Sequence, residues 1–153
     1  MTTKKPKVQI TAILSDKLKQ DNKDVNVLIE QFASWKELGP AGEYTSSHFG
    51  KDSFYSEPKV DGQMVLRHVH LRPVQDLEKQ RTWDRQHRFQ GKKSSDVALL
   101  YAADSTHGYL LIDILREPDA HEVARMATAQ HKDYMEKMAQ VADAFNFCGE
   151  ILI

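Results

Sequence analysis

Three histidines have the types and spacings that suit proton-transfer chemistry. His68 and His70 stand two residues apart in an apolar segment, so on a β-strand their side chains share one face. His121 lies in the first turn of a predicted helix. The ordinary pKa of an imidazole is about 6.5, so it can act as a base or as an acid near neutral pH. We therefore take His68, His70 and His121 as candidate catalytic residues, with Asp96 as a carboxylate that can orient one of them.

The same histidines support two other interpretations. His-x-His on a strand is a geometry in which imidazoles bind a metal ion, and His121 or Asp96 would then supply a third ligand. The pair can equally be ordinary half-buried strand residues that do no chemistry. The residues by themselves leave these alternatives open.

Basic residues concentrate beside the histidine strand. The formal net charge of the 153 residues is −1, but residues 59–93 contain nine basic and four acidic residues and carry +5, which leaves −6 elsewhere. Trp83 and Phe89 are interleaved with these cations, and cations with aromatic rings suit single-stranded nucleic acid. The alternative is that this segment is a solvated loop in a charge-rich protein. Arg125, one helical turn after His121, could bind phosphate or could instead pair with Glu122. The candidate RNA-binding residues are Lys51, Arg81, Arg88, Lys92, Lys93 and Arg125.

Hydrophobic periodicity predicts the elements that must position these residues. A helix capped by Asp24 ends at Gly39-Pro40, and a long helix opens at Pro118-Asp119, with Glu122 completing a capping box. Strands are predicted over residues 8–13, 63–72, 97–103 and 109–115, the last two joined by a hairpin turn. Residues 17–23 are predicted as a polar connector, 41–62 as irregular, 74–95 as a long loop or short helix, and 147–153 as an edge strand or interface.

This element order predicts an α+β fold. A small, mostly antiparallel sheet would be packed by an N-terminal helix and a long C-terminal helix. The length suits one domain, and we expect residues 1–153 to form it. Tyr101 lies on a predicted central strand, where a core role is favoured over a catalytic one.

Several classes of protein are not expected. The chain contains no stretch of 18 apolar residues, which a membrane-spanning helix would need. The basic start Met1–Lys7 is followed by only a short apolar run, so we expect no secretory signal. Cys148 is the one cysteine, which rules out an internal disulfide and leaves the cytoplasm as the default compartment.

Several short blocks, in their order along residues 8–146, resemble the YafO family of bacterial toxins. The blocks that carry the resemblance are Phe32-x-x-Trp-Lys, Phe49-Gly-Lys-Asp-x-x-Tyr55, His68-Val-His-Leu71, Ser95-Asp96-x-x-Leu-Leu-Tyr101, Tyr109-Leu-Leu-Ile-x-Ile-Leu115, His121-x-x-Ala-Arg125 and Met138-Ala-x-x-Ala-x-x-Phe145. The Met1–Lys7 start, the connector 75–93 and the tail 147–153 depart from the pattern.

The resemblance implies a toxin of a type II toxin–antitoxin system. Such toxins cut messenger RNA in association with the ribosome and are silenced by a cognate antitoxin, and they are grouped with RelE-like α+β proteins. The expected partners are therefore mRNA, the ribosome and an antitoxin, with a homodimer among the states considered and neither a membrane nor a cofactor required. Two alternatives remain, namely a non-catalytic RNA- or ribosome-binding module and a metal-dependent hydrolase using His68 and His70.

Overall fold

The computed structural model describes residues 5–153. Met1 to Lys4, which belong to the basic start of the chain, lie outside the described residues. A five-stranded sheet has the order β1-β7-β6-β5-β2, and a separate hairpin joins β3 to β4. β1 pairs with β7 in parallel, and the other pairs of the large sheet are antiparallel. The strands are β1 Val8–Ile10, β2 Phe49–Phe54, β3 Lys59–Val60, β4 Gln63–Met64, β5 Arg67–Leu71, β6 Ala98–Asp104 and β7 Gly108–Leu115.

Helices cover both faces of the sheet. On one face α1 and α2 bury Leu14, Phe32 and Trp35 against strand residues such as Leu99. On the other face α6 packs over alternate residues of the same strands, as the period-two geometry of a strand requires. The helices are α1 Ala12–Gln20, α2 Val25–Glu37, α3 Gly42–Thr45 after a 3-10 turn at Gly39–Ala41, α4 Leu77–Arg88, α5 Ala120–Ala124 and α6 Ala129–Cys148. The predicted α+β class, with its mostly antiparallel sheet and long C-terminal helix, is confirmed.

The strongest sequence patterns give the predicted elements. Asp24 caps α2 by accepting a hydrogen bond from the Asn26 amide at 2.8 Å, and β6 and β7 form the predicted hairpin. Residues 74–95 were predicted as a long loop or a short helix, and the structure shows a helix, α4, over Leu77–Arg88. Asp76 caps it by accepting from the amides of Glu78 and Lys79.

The N-terminal part departs from the prediction. Residues 17–23 were predicted as a connector, but α1 begins at Ala12, because the Thr11 hydroxyl accepts from the Leu14 amide at 3.2 Å and also donates to the Ile112 carbonyl at 2.6 Å. The predicted strand 8–13 therefore stops at Ile10. The prediction that residues 41–62 are irregular is also wrong in part, since β2 forms the edge of the sheet there, with Phe49 and Gly50 buried and most of the later residues exposed.

The long helix does not open at Asp119. Asp119 makes no side-chain capping bond, and the short α5 ends before Met126, whose φ of 55° breaks the helix. Thr128 then caps α6 by accepting from the His131 amide at 3.1 Å. The predicted strand 63–72 is likewise split into β4 and β5, and the tail adds no strand to the described sheet. None of the helices between residues 5 and 153 has the length and apolarity needed to cross a membrane.

Candidate active site

His68 and His70 lie on the same face of β5, as their spacing predicts. Their ring centroids are 5.6 Å apart. Leu66, two residues earlier, belongs to the apolar cluster under α6, so alternation along the strand places both histidines on that face of the sheet. We call Tyr55, His68, His70 and His121 the histidine cluster.

His121 reaches this cluster from α5. Its ring centroid lies 5.7 Å from that of His70, although the two residues are far apart in the sequence. Asp96 places it, because Asp96 Oδ1 accepts from the His121 backbone N–H at 2.7 Å and lies 2.8 Å from His121 Nδ1. A carboxylate at Nδ1 fixes the proton on that nitrogen, so Nε2 of this exposed ring faces outward as the reactive position.

His70 is fixed by the residue before Asp96. Its Nδ1 lies 2.8 Å from the Ser95 carbonyl oxygen and 2.9 Å from the Ser95 amide nitrogen, so either neutral tautomer forms one of these bonds. Burial lowers the pKa of His70 below its ordinary value, and the nearby His121 and Lys51 act in the same direction. His70 is therefore a neutral, immobilised imidazole at pH 7.

His68 is the most strongly perturbed member of the cluster. Burial, and then the neighbouring His70, lower the pKa of His68 to about 4. The Tyr55 ring stacks on it with the centroids 3.8 Å apart and the ring planes at 6°. Sequence reasoning assigned no role to Tyr55, because the stack forms between a residue beyond β2 and one on β5.

Two of the predicted RNA-binding residues lie on segments next to those that carry the histidines. Lys51 is exposed on β2, which pairs with β5, and its charge acts to lower the pKa of His70. Arg125 follows α5, one helical turn after His121, and its Nη1 is 3.0 Å from Glu122 Oε2. This exposed pair contributes little to stability, so the guanidinium can exchange Glu122 for a phosphate.

The other cations of the connector lie elsewhere. Lys93 is completely buried, and its Nζ donates to the Glu43 carbonyl at 3.1 Å, which does not fit the predicted contact with phosphate. Lys92 is half-exposed and turns towards the Glu43 carboxylate, 3.5 Å away. Both lysines hold the connector against α3. A β-carbon at Gly50 would lie 2.2 Å from the Lys93 carbonyl oxygen, so this close approach requires glycine.

The helix α4 presents an exposed basic surface. Arg81 and Arg88 are exposed, with Arg81 Nη1 2.9 Å from Glu78 Oε1. Trp83 is 1% exposed, and its indole N–H donates to the Ser47 carbonyl at 2.9 Å. The predicted base-stacking by Trp83 is therefore wrong, because that ring anchors the helix. Phe89 is 75% exposed and remains available.

A second polar cluster lies on the opposite face of the sheet, and sequence reasoning missed it. We call Lys36, Asp52, Arg67 and Tyr101 the ionic cluster. Lys36 Nζ lies 2.9 Å from both Asp52 Oδ2 and the Tyr101 hydroxyl. The Tyr101 hydroxyl also donates to Asp52 and accepts from Arg67 Nε at 3.1 Å. Tyr101 is fully buried, as its predicted core role requires, whereas Asp52 belongs to a strand and not to the expected loop.

A groove also opens on the α1 and α2 face, away from the histidine cluster. It has a volume of about 590 Å³, and its lining includes Leu18, Leu28, Phe49, Leu71 and Val97. Within residues 5–153 no three His, Cys, Asp or Glu side chains are grouped closely enough to hold a metal ion.

Comparison with protein families finds a match over most of the chain. Residues 33–147 match the family described as Toxin YafO, type II toxin-antitoxin system. This range contains all members of both clusters. Neither the curated proteins nor the solved structures provide a match.

Proposed function

We propose that this chain, which belongs to the YafO toxin family of type II toxin–antitoxin systems, is an endoribonuclease that cuts messenger RNA in association with the ribosome. Membership of the family implies a cognate antitoxin as partner. The proposed activity would arrest bacterial growth when the antitoxin is absent, and we place it in the cytoplasm.

One observation carries the proposal, namely the row of three imidazoles on one face of the sheet. Consecutive ring centroids lie 5.6 and 5.7 Å apart, so a single phosphodiester can lie against two rings at once. Two of the rings are kept neutral by burial, and the third is held by Asp96 with Nε2 outward. Perturbed titratable groups in mutual contact are typical of sites for acid–base chemistry.

The proposed reaction uses these groups as base and acid. A neutral imidazole of His68 or His70 takes the proton of the ribose 2′-hydroxyl, and the 2′-oxygen attacks the adjacent phosphorus. The bond from phosphorus to the 5′-oxygen breaks, and His121 in its protonated form gives its Nε2 proton to the leaving oxygen. The products are a 2′,3′-cyclic phosphate, or the 3′-phosphate after hydrolysis, and a 5′-hydroxyl. Proton transfer by positioned groups accelerates such reactions by about 10²–10⁴-fold.

Cations complete the proposed site. Lys51, whose charge acts on His70, and Arg125, one helical turn after His121, would stabilise the additional negative charge on phosphorus in the transition state. Arg81 and Arg88 on α4 lie outside the histidine cluster, and we propose that they contact the backbone of the bound RNA. Such contacts give affinity that falls as salt increases.

The test is expression of His70→Ala and His121→Ala variants without antitoxin. We expect both variants to lose growth arrest, and primer extension on messenger RNA to show cleavage by the parent chain only, and only with translating ribosomes. His48→Ala is a matched control, since His48 is an exposed histidine remote from the cluster. If both cluster variants arrest growth and cut message as the parent does, the assignment is wrong.

The exposed basic surface of α4 favours a second candidate, a module that occupies an RNA or ribosomal site without cutting. It predicts salt-dependent binding with intact RNA. A hydrolase that uses a metal ion at His68 and His70 would instead lose cleavage in the presence of a chelator. The proposed acid–base mechanism predicts that cleavage is unchanged by the chelator.

A further inference from the structure

Tyr55 covers one face of the His68 ring. The two rings are parallel within 6°, and their centroids are 3.8 Å apart. The Tyr55 backbone N–H donates to the Leu66 carbonyl at 2.9 Å, which ties the tyrosine to the segment just before β5. Tyr55 also packs against the apolar cluster beneath α6. The stack is therefore held by the main chain and by the core, independently of the histidine.

The surroundings of the His68 ring keep it neutral. Its Nδ1 atom is buried, and the ring also has a backbone hydrogen bond with Ser53. Burial, and then the neighbouring His70, lower the pKa of the ring to about 4. The neutral ring is therefore the form present at pH 7, and it can accept a proton.

We propose that Tyr55 is a positioning residue that holds His68 as the general base of the site, by excluding water from its face and fixing its orientation. The proposal rests on the proposed ribonuclease function, in which the neutral His68 ring takes the proton of the ribose 2′-hydroxyl. Tyr55 acts through His68 and not on the substrate. Burial raises the pKa of its hydroxyl above the ordinary range, so this group stays protonated and adds no charge.

Several elements place titratable groups around the stack. His70 on β5 and His121 on α5 disfavour a charge on His68, and Asp52 on β2 favours one. Tyr134 on α6 faces Tyr55 and is bonded to Asp113. Burial outweighs these charges as the cause of the low His68 pKa. Removing the ring that covers His68 should therefore have a larger effect than removing any one neighbouring charge.

The experiment compares Tyr55→Phe and Tyr55→Ala in the full chain, with Tyr55→Leu as a bulkier variant in case alanine prevents folding. Nuclear magnetic resonance titration of the His68 ring gives its pKa, and RNA cleavage is measured as a function of pH. Phenylalanine keeps the stack, so we expect an unchanged titration and cleavage within about threefold of the parent. Alanine and leucine should raise the pKa of His68 by about one pH unit or more and move the acidic limb of the rate profile upward by a similar amount. Tyr44→Ala is the control, since Tyr44 is a surface tyrosine over Lys92.

A His68 titration that stays unchanged in the folded alanine and leucine variants would overturn the proposal. So would a phenylalanine variant that behaves like alanine, because the hydroxyl and not the stacked ring would then be responsible. If the titrations follow the expectation and the parent chain cuts no RNA, the control of His68 by Tyr55 stands and the proposed function fails.

Discussion

The two faces of the sheet use polar residues in opposite ways, although the same strands supply both. On β5, Arg67 points to the ionic cluster and the next residue, His68, to the histidine cluster. In the ionic cluster each cation has a carboxylate or hydroxyl partner, and α2 covers the group. In the histidine cluster His68 and His70 are largely buried and form no ion pair among the described residues, whereas His121 is exposed and lies beside Asp96.

The difference separates polar residues that stabilise the fold from polar residues that are available for a reaction. Paired buried charges hold elements in place, and removing one partner leaves the other uncompensated. Buried imidazoles without such partners have lowered pKa values and are available for proton transfer. Substitutions in the ionic cluster should therefore reduce stability first, and substitutions in the histidine cluster should reduce activity first.

The largest effect is expected from Asp52→Ala. Asp52 lies between Lys36 and Arg67, with its side chain 12% exposed, and its loss leaves two half-buried cations unpaired. We expect the free energy of unfolding to fall by about 3–5 kcal/mol, as measured by urea denaturation. Asp16→Ala, at an exposed carboxylate on α1, should change it by no more than about 0.5 kcal/mol. Equal effects of the two variants would remove the distinction between the faces.

The next effect is acid destabilisation through the histidine cluster. His68 has a pKa of about 4 in the folded chain, whereas the ordinary value of 6.5 applies when the chain is unfolded. Between these values the unfolded state binds more protons, so stability is fully present above about pH 6.5 and falls as the pH is lowered towards 4. The loss should reach about 3 kcal/mol. Urea denaturation at several pH values should show a flatter dependence for His68→Gln; an unchanged curve would contradict the assignment.

A smaller effect is expected from Asp96→Ala. The variant loses the bonds from Asp96 to the His121 amide and ring. Loss of a residue that orients a reactive histidine should reduce RNA cleavage by about 10–100-fold. The free energy of unfolding should change by only about 1 kcal/mol, as for loss of a helix cap. Parallel cleavage and denaturation assays check this, and a loss of stability as large as that of Asp52→Ala would place Asp96 with the structural carboxylates.

The smallest effect is expected from Lys51→Ala. Lys51 is exposed, and its contribution to RNA binding would be one phosphate contact. Affinity should weaken modestly, and the slope of log affinity against log salt should decrease by about 1. Binding titrations at three salt concentrations measure this. Lys92→Ala is the matched control, because Lys92 faces Glu43, and an equal change in its slope would contradict the separation between the two lysines.

The parts of the fold that could be predicted from the sequence are those that depend on residues close together in the chain. The apolar spacing of α2, the cap at Asp24 and the β6–β7 hairpin follow from residues within a few positions of one another. His68 and His70 share a face for the same local reason. The catalytic role of these histidines stays a prediction, although the structure brings His121 and Asp96 beside them.

What the sequence could not predict depends on contacts between distant segments. The edge strand β2 lacks the apolar alternation of a typical strand, because three of its six residues are exposed. Lys93 and Trp83 look like exposed members of a basic connector, but the packing of α4 and α3 buries them. The Tyr55 stack and the ionic cluster join residues from separate elements. The spacing of residues within one element cannot predict contacts of this kind.

The parallel pairing of β1 with β7 has a consequence for how the chain folds. Val8 lies opposite Tyr109, and the Thr11 hydroxyl is bonded to Ile112, so about a hundred residues must be synthesised before the first strand finds its place. Pairings between such distant segments slow folding, because the entropy of closing a long loop is lost before the contacts form. During synthesis β1 therefore stays without its native strand partner until β7 has left the ribosome.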